Sequence, residues 1–151
     1  GGGLTFNETN YDRLRGNAEY TLLASAARTA TTNSPDQTNY NGRGVHVTIN
    51  VTAEAAAETL SLKIQGKDLV SSNYYDIVDG GTIYTAATEA PTETKTLAMK
   101  PGILTADHVG VGVGVNGPIA KSGVLPRIWR AVVTHSASGS WTYSLSAEVI
   151  V

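Results

Sequence analysis

Val45-His-Val-Thr-Ile-Asn-Val-Thr52 decides how this chain folds. Val45, Val47, Ile49 and Val51 fall on one side of an extended backbone, and His46, Thr48, Asn50 and Thr52 on the other. Successive side chains of a strand point to opposite faces, so period two with β-branched residues on both faces is a half-buried strand. A helix would scatter the same valines around its circumference.

The pattern recurs outward from this stretch. Leu60, Leu62 and Ile64 alternate with Ser61, Lys63 and Gln65, which predicts a strand pairing antiparallel with the Val45 strand. Upstream, Tyr20, Leu22, Ala24 and Ala26 alternate with Thr21, Leu23 and Ser25 as a first strand. Thr29 to Gly44 collects Asn33, Ser34, Pro35, Asp36, Asn39, Asn41 and Gly42, all turn formers, and reads as a polar loop. Ala53 to Glu58 is alanine-rich but too short for a stable helix, so it is read as a connection.

Further on, Tyr74, Tyr75, Ile77 and Val78 form a short strand ending at Asp79-Gly80-Gly81. Ile83 and Tyr84 begin another, so the Asp-Gly step reads as a hairpin turn. Leu97 and Met99 mark a strand that stops at Pro101-Gly102. The Val-Gly run of residues 109–115 reads either as a flexible surface loop or as a tight packing site, whose bare face another backbone or a ring can approach closely. Trp129, Ala131 and Val133 face one way, and Ser136 to Ser140 reads as a hairpin loop. Trp141, Tyr143, Leu145, Ala147, Val149 and Val151 share a face of the last strand. The two tryptophans then lie on neighbouring strands of one hairpin, as core.

These elements amount to roughly eight strands with turn signals at the spacing of sandwiches and barrels. The fold expected is all-β, a two-sheet antiparallel β-sandwich, with the jelly roll as one form of it. The length of 151 residues fits one domain, here residues 19–151. Residues 1–18 precede it as an extended N-terminal arm carrying Phe6, Tyr11 and Leu14.

Only 16% of residues are charged, against a usual share of roughly 25%. Thr, Ser, Asn, Gly and Ala must cover the surface instead, and neutral polar groups cost less to desolvate than charges. Such an exterior suits packing against partners. Net charge is −2 and no basic stripe is present, which argues against nucleic-acid binding. The absence of cysteine excludes disulfides and thiol nucleophiles. No apolar run approaches the ~20 residues of a membrane helix, so no membrane partner is expected.

Catalysis needs converging polar groups. His46, His108 and His135 are in no H-x-x-x-H or H-E-x-x-H arrangement, which leaves a metal site without support. There is no G-x-S-x-G elbow. Gly110, Gly112 and Gly114 lack the following helix that a phosphate loop needs. Asp68, Asp76 and Asp79 read as turn-capping residues. Asp36 to Gly42 has oxygen ligands at the wrong spacing for an EF-hand. The chain is therefore expected to be no enzyme and to hold no catalytic residue, cofactor or metal.

Partner contacts are expected from Phe6, Tyr11 and Leu14 in the arm, from Tyr40 and Arg43 in the polar loop, and from Arg127 and Arg130. Guanidinium groups bind carboxylates bidentately. The alternative is a carbohydrate-binding β-sandwich, tail-associated or secreted, which would present a row of exposed aromatics drawn from Tyr20, Tyr40, Tyr74, Tyr75, Tyr84, Trp129 and Trp141.

Several segments together carry a resemblance: Glu19 to Thr31, Asp36 to Thr52, Leu62 to Asp68, Tyr74-Tyr75, Leu125-Pro-Arg-Ile-Trp-Arg130 and the closing His135 to Val151. This combination resembles a family of small virion structural proteins common in tailed-bacteriophage genomes. It covers residues 19–151; the arm and the Val-Gly run are not part of it. The resemblance implies a virion component assembled in the host bacterial cytoplasm, a head decoration (cement) protein before a tail component. Its implied partners are the major capsid protein and copies of itself, as a homo-oligomer on the particle. It brings no catalytic residues.

Overall fold

In the computed structural model, the Val45–Thr52 stretch lies at the centre of a sheet, with Val45, Val47, Ile49 and Val51 fully buried. The structure describes residues 4–7, 10–13, 18–86, 93–102, 108–109 and 119–151, and side chains within 18–86, 93–102 and 119–151. The described residues form strands β1 (Leu4–Asn7), β2 (Asn10–Arg13), β3 (Ala18–Arg28), β4 (Thr32–Asn33), β5 (Gln37–Thr38), β6 (Gly44–Ala53) and β7 (Thr59–Lys67). They continue with β8 (Tyr74–Thr85), β9 (Glu93–Lys100), β10 (His108–Val109), β11 (Ile119–Ser122), β12 (Ile128–His135) and β13 (Trp141–Ile150). No helix among them is long and apolar enough to cross a membrane.

One sheet has the order β10-β11-β9-β6-β13-β3; the other has β4 and β5 end to end along one edge of β12, followed by β7 and β8. The chain is thus the β-sandwich that the alternation predicts. One pair departs from an antiparallel layout: β11 runs parallel to β9. Residues 101–118 between them supply the long connection that a parallel pair requires.

The core lies between the sheets. Val47, Ile49, Leu97, Tyr143 and Leu145 from the first face Leu60, Leu62, Ile64, Trp129 and Val133 from the second. Tyr84 and Trp141 meet edge to face, 5.3 Å between centroids at 88°, the geometry favoured by the ring quadrupole. Lys95 is buried on the core side of β9, with its ammonium 3.1 Å from the Glu93 carboxylate.

Five expectations need correction. The Val45 and Leu60 strands do not pair; they sit in opposite sheets and face one another across the core. The connection between them turns through Ala57 in a left-handed conformation (φ 58°), which lets the chain cross between layers. β12 and β13 are likewise in different sheets, so Ser136 to Ser140 is an inter-sheet crossing and the two tryptophans meet the core from opposite sides.

Asp79-Gly80-Gly81 is no hairpin turn. β8 runs through it, with Thr82 opposite Ser61 and Asp79 opposite Lys63, so that two glycines oppose Leu62 in a bulge. Gly81 takes φ 64° and its N–H donates to Asp79 Oδ1 at 2.8 Å. The polar loop Thr29 to Gly44 contains β4 and β5, both paired to β12. Finally, the alternation of the first strand breaks. Two register shifts against β13 leave Leu22 buried and Ala24 to Ala27 all exposed.

In the first 18 residues, β1 and β2 pair as a two-stranded ribbon with Phe6 directly opposite Tyr11. Leu14 lies outside the described residues, as does the Val-Gly run apart from the backbone of Val109.

Candidate functional site

The two ends of the sandwich differ in chemistry. β6 and β12 begin, and β7, β9 and β13 end, at one end, where the two sheets are tied by backbone hydrogen bonds. Arg43 N–H donates to Ile150 O (2.8 Å), Leu125 N–H to Arg43 O (2.9 Å) and Asn39 N–H to Arg127 O (2.7 Å). The Asn39 side chain locks the turn between them, donating to Gly42 O (2.8 Å) and Leu125 O (3.1 Å) and accepting from Gly42 N–H (2.8 Å). Gly42 is required here, because a Cβ would lie 2.1 Å from a Val149 methyl.

Every large apolar side chain that the described residues expose sits at this end: Tyr40 (81% exposed), Leu69, Val70 (95%), Tyr75, Val124 and Val151. Single exposed apolar residues scattered on a surface are ordinary; their confinement to one region marks an interaction site. Leu69 and Val70 are held out on a rigid turn. The Asp68 carboxylate accepts from Val70 N–H (3.2 Å) and from Ser71 N–H (3.1 Å) and hydroxyl (2.5 Å). The Ser71 hydroxyl, the largest influence, holds that carboxyl below the usual range.

Three of the sequence-predicted contact residues come together here. The Arg127 guanidinium lies over the Tyr40 ring, 5.8 Å from its centroid, and Arg43 follows the same turn. Arg130 is elsewhere, on the outer face of the five-stranded sheet. It stacks on Tyr74 at 3.4 Å and donates from Nε to Gln65 at 2.9 Å. Around it Lys67 pairs with Asp36 (3.0 Å), Tyr74 donates to Asp36 (2.7 Å), and Lys63 pairs with Asp76 (3.2 Å). Burial works against ionisation of Asp36, but the bonds from Tyr74 and Lys67 outweigh it and lower its pKa. Lys67 and Asp36, and Lys63 and Asp76, neutralise each other, while Arg130 is held by Gln65 and the Tyr74 ring.

The outer face of the six-stranded sheet is different again. Thr21, Ser146, Thr48 and Thr96 form one cross-strand row, and Ser144, Asn50 and Thr94 the next, with no charge in either. Thr48 and Thr96 share a hydrogen bond of 3.0 Å. Beside them Glu19, Glu148 and His46 line a depression of about 500 Å3. Sequence reasoning located the alternation that makes these rows but not which strands stand side by side.

At the opposite end, polar groups tie the sheets together. Glu58 accepts from Gly139 N–H (2.9 Å) and from the Trp141 indole (3.3 Å), and Tyr84 donates to Glu54 (3.0 Å). His135 Nε2 shares a hydrogen bond with the Tyr143 hydroxyl at 3.0 Å. Burial pushes the His135 pKa down and the Tyr143 pKa up. Among the described residues no group of three or more His, Asp or Glu side chains is arranged to hold a metal ion. Of the aromatic residues that stacking on sugar rings would draw on, Tyr84, Trp129 and Trp141 are fully buried, whereas Tyr40 and Tyr75 are exposed.

No family model matches the chain, and no curated protein does. Among solved structures, it is similar to a chain in the structure of infectious bursal disease virus Gx strain, with a TM-score of 0.47 and 10% sequence identity. That alignment covers 99% of this chain and 36% of the viral one, so this chain spans little more than a third of the length of the chain it matches.

Proposed function

We propose that this chain is a non-enzymatic structural protein of a tailed-phage virion, a decoration protein that docks on the head and strengthens subunit seams. The observation that carries the docking is the confinement of Tyr40, Leu69, Val70, Tyr75, Val124 and Val151 to one end of the sandwich. Exposed aromatic and aliphatic groups on a pre-formed frame are the composition of interface centres. The neutral rows on the six-stranded sheet add a second surface that loses little on desolvation, suited to neighbouring copies. The resemblance of residues 19–151 to tailed-phage virion proteins supplies the particle. Each contact need bind only weakly, because many copies act together on a symmetric lattice.

The test is reconstruction of the phage particle with and without this protein, together with add-back of the purified chain to particles that lack it. Density at capsid seams, and heads that survive heating better after add-back, are expected. A protein absent from purified particles, and failing to bind them when added, overturns the reading.

A further inference from the structure

The end that exposes the apolar side chains also carries cations without counter-ions. Arg43, Arg127 and Lys100 form no ion pair with any described residue. Lys100 ends β9, next to β6 whose first residues follow Arg43, and its carbonyl accepts from Gly123 N–H at 3.2 Å. Two of the described acids nearest these cations are already engaged: Asp36 by Lys67 and Tyr74, and Asp68 by its own turn. Arg43, Arg127 and Lys100 are therefore three positive charges at this end that no ion pair among the described residues neutralises.

We infer that this end takes an acidic protein segment, one in which Asp or Glu carboxylates flank an apolar side chain. The inference rests on reading the chain as a docking protein but not on the identity of the particle. Arg127 is already set over the Tyr40 ring, and an arginine so placed keeps its fork of donors for a carboxylate. The apolar side chain would lie against Tyr40 and Val124, the carboxylates against the guanidinium groups. The frame beneath is fixed by the Asn39 bonds and the three backbone bonds between layers, so little ordering is needed on binding. A protein segment fits better than nucleic acid. Three cations beside a cluster of aliphatic groups make no track for a phosphate backbone, which needs a basic stripe.

The test uses the full chain and an immobilised glutamate–phenylalanine copolymer, with duplex DNA and poly-lysine as the other arms, read by interferometry across a salt series. Binding to the copolymer that weakens with salt is expected. In the double variant R43E/R127E it should fall about tenfold or more, since rim charges govern encounter and salt dependence. Neither guanidinium donates a hydrogen bond to any described residue, so the variant's circular dichroism and urea midpoint should match the parent. A variant that binds the copolymer as the parent does, or a parent that prefers DNA, overturns the inference. Particle binding separates the two proposals. If R43E/R127E still decorates particles, the acidic partner is wrong and the virion role stands. If the parent binds the copolymer but never a particle, the docking end stands and the virion role falls.

Discussion

Arg28 sits over the ring of Tyr143, 4.7 Å from its centroid, and donates 2.6 Å to the backbone carbonyl of the same residue. The same guanidinium also donates to Ala24 O at 2.7 Å and Ala26 O at 3.1 Å. It lies where β3 and β13 lose register, and it gathers carbonyls from both strands. Arg28→Met should cost about 1–3 kcal/mol, the range for hydrogen bonds to a charged group, and Arg28→Lys only part of that. Urea unfolding midpoints check this. Equal midpoints for Arg28→Met and the parent would make the fork incidental.

Glu58 closes the end opposite the proposed docking surface. Glu58→Ala leaves Gly139 N–H and the Trp141 indole without their acceptor, at an expected cost of about 1–3 kcal/mol. Glu58→Gln keeps an acceptor oxygen and should recover part of it. Tryptophan fluorescence during thermal unfolding reports both.

The bulge in β8 makes neighbouring glycines unequal. A Cβ at Gly80 would sit 2.7 Å from Leu62 O, and backbone cannot move aside, whereas Gly81 has open space but φ 64°. Gly81→Ala should cost about 1–2 kcal/mol from the left-handed backbone alone. Gly80→Ala should cost more, and should shift the amide resonances of β7. A hairpin turn at this place would not predict that order.

Stability should depend on pH through His135. Burial lowers its folded pKa below the ordinary ~6.5, so the unfolded chain binds more protons as pH falls through that value. The contribution is complete above about pH 6.5 and is lost as pH falls towards the folded pKa. Comparing urea midpoints of the parent and His135→Gln between pH 7.5 and 5.5 isolates this residue from the carboxylates. The parent should lose more stability on acidification; parallel curves would exclude His135 as the source.

Removing a core contact should be severe. Leu145→Ala, in a strand buried between two others, is expected to cost about 2–5 kcal/mol, measured as a fall in the urea midpoint. A loss below about 1 kcal/mol would mean that the sheets do not pack as described.

Period-two alternation made much of this fold legible. The valines of β6 and the Trp141 to Val149 face of β13 are buried as their spacing demands. What alternation lacks is partner identity. Leu60 to Ile64 carries the same pattern whether it lies beside Val45 or across the core from it, because both positions bury one face. The Asp-Gly step at Asp79-Gly80 misled for a related reason: glycine serves a bulge as readily as a turn. Of the residues expected to make contacts, Tyr40, Arg43 and Arg127 lie together at the end that exposes the apolar side chains. Arg130 looked the same in sequence, and only the position of Tyr74 and Gln65 shows that it is engaged. The exposure of Leu69, Val70 and Val124 was not legible, since nothing local tells an exposed aliphatic from a buried one.

β12 wedges between β4/β5 and β7, and β13 between β3 and β6. Residues 128–150 therefore supply a middle strand to each layer, and a nascent chain lacking them holds two unfinished surfaces with a gap in each. Neither layer can close before residues 128–150 have been made, and the long-range pairings this requires make folding slow. The same arrangement offers a practical handle: a fragment lacking this segment should stay unstructured alone and become native when a synthetic peptide of residues 128–151 is supplied in trans.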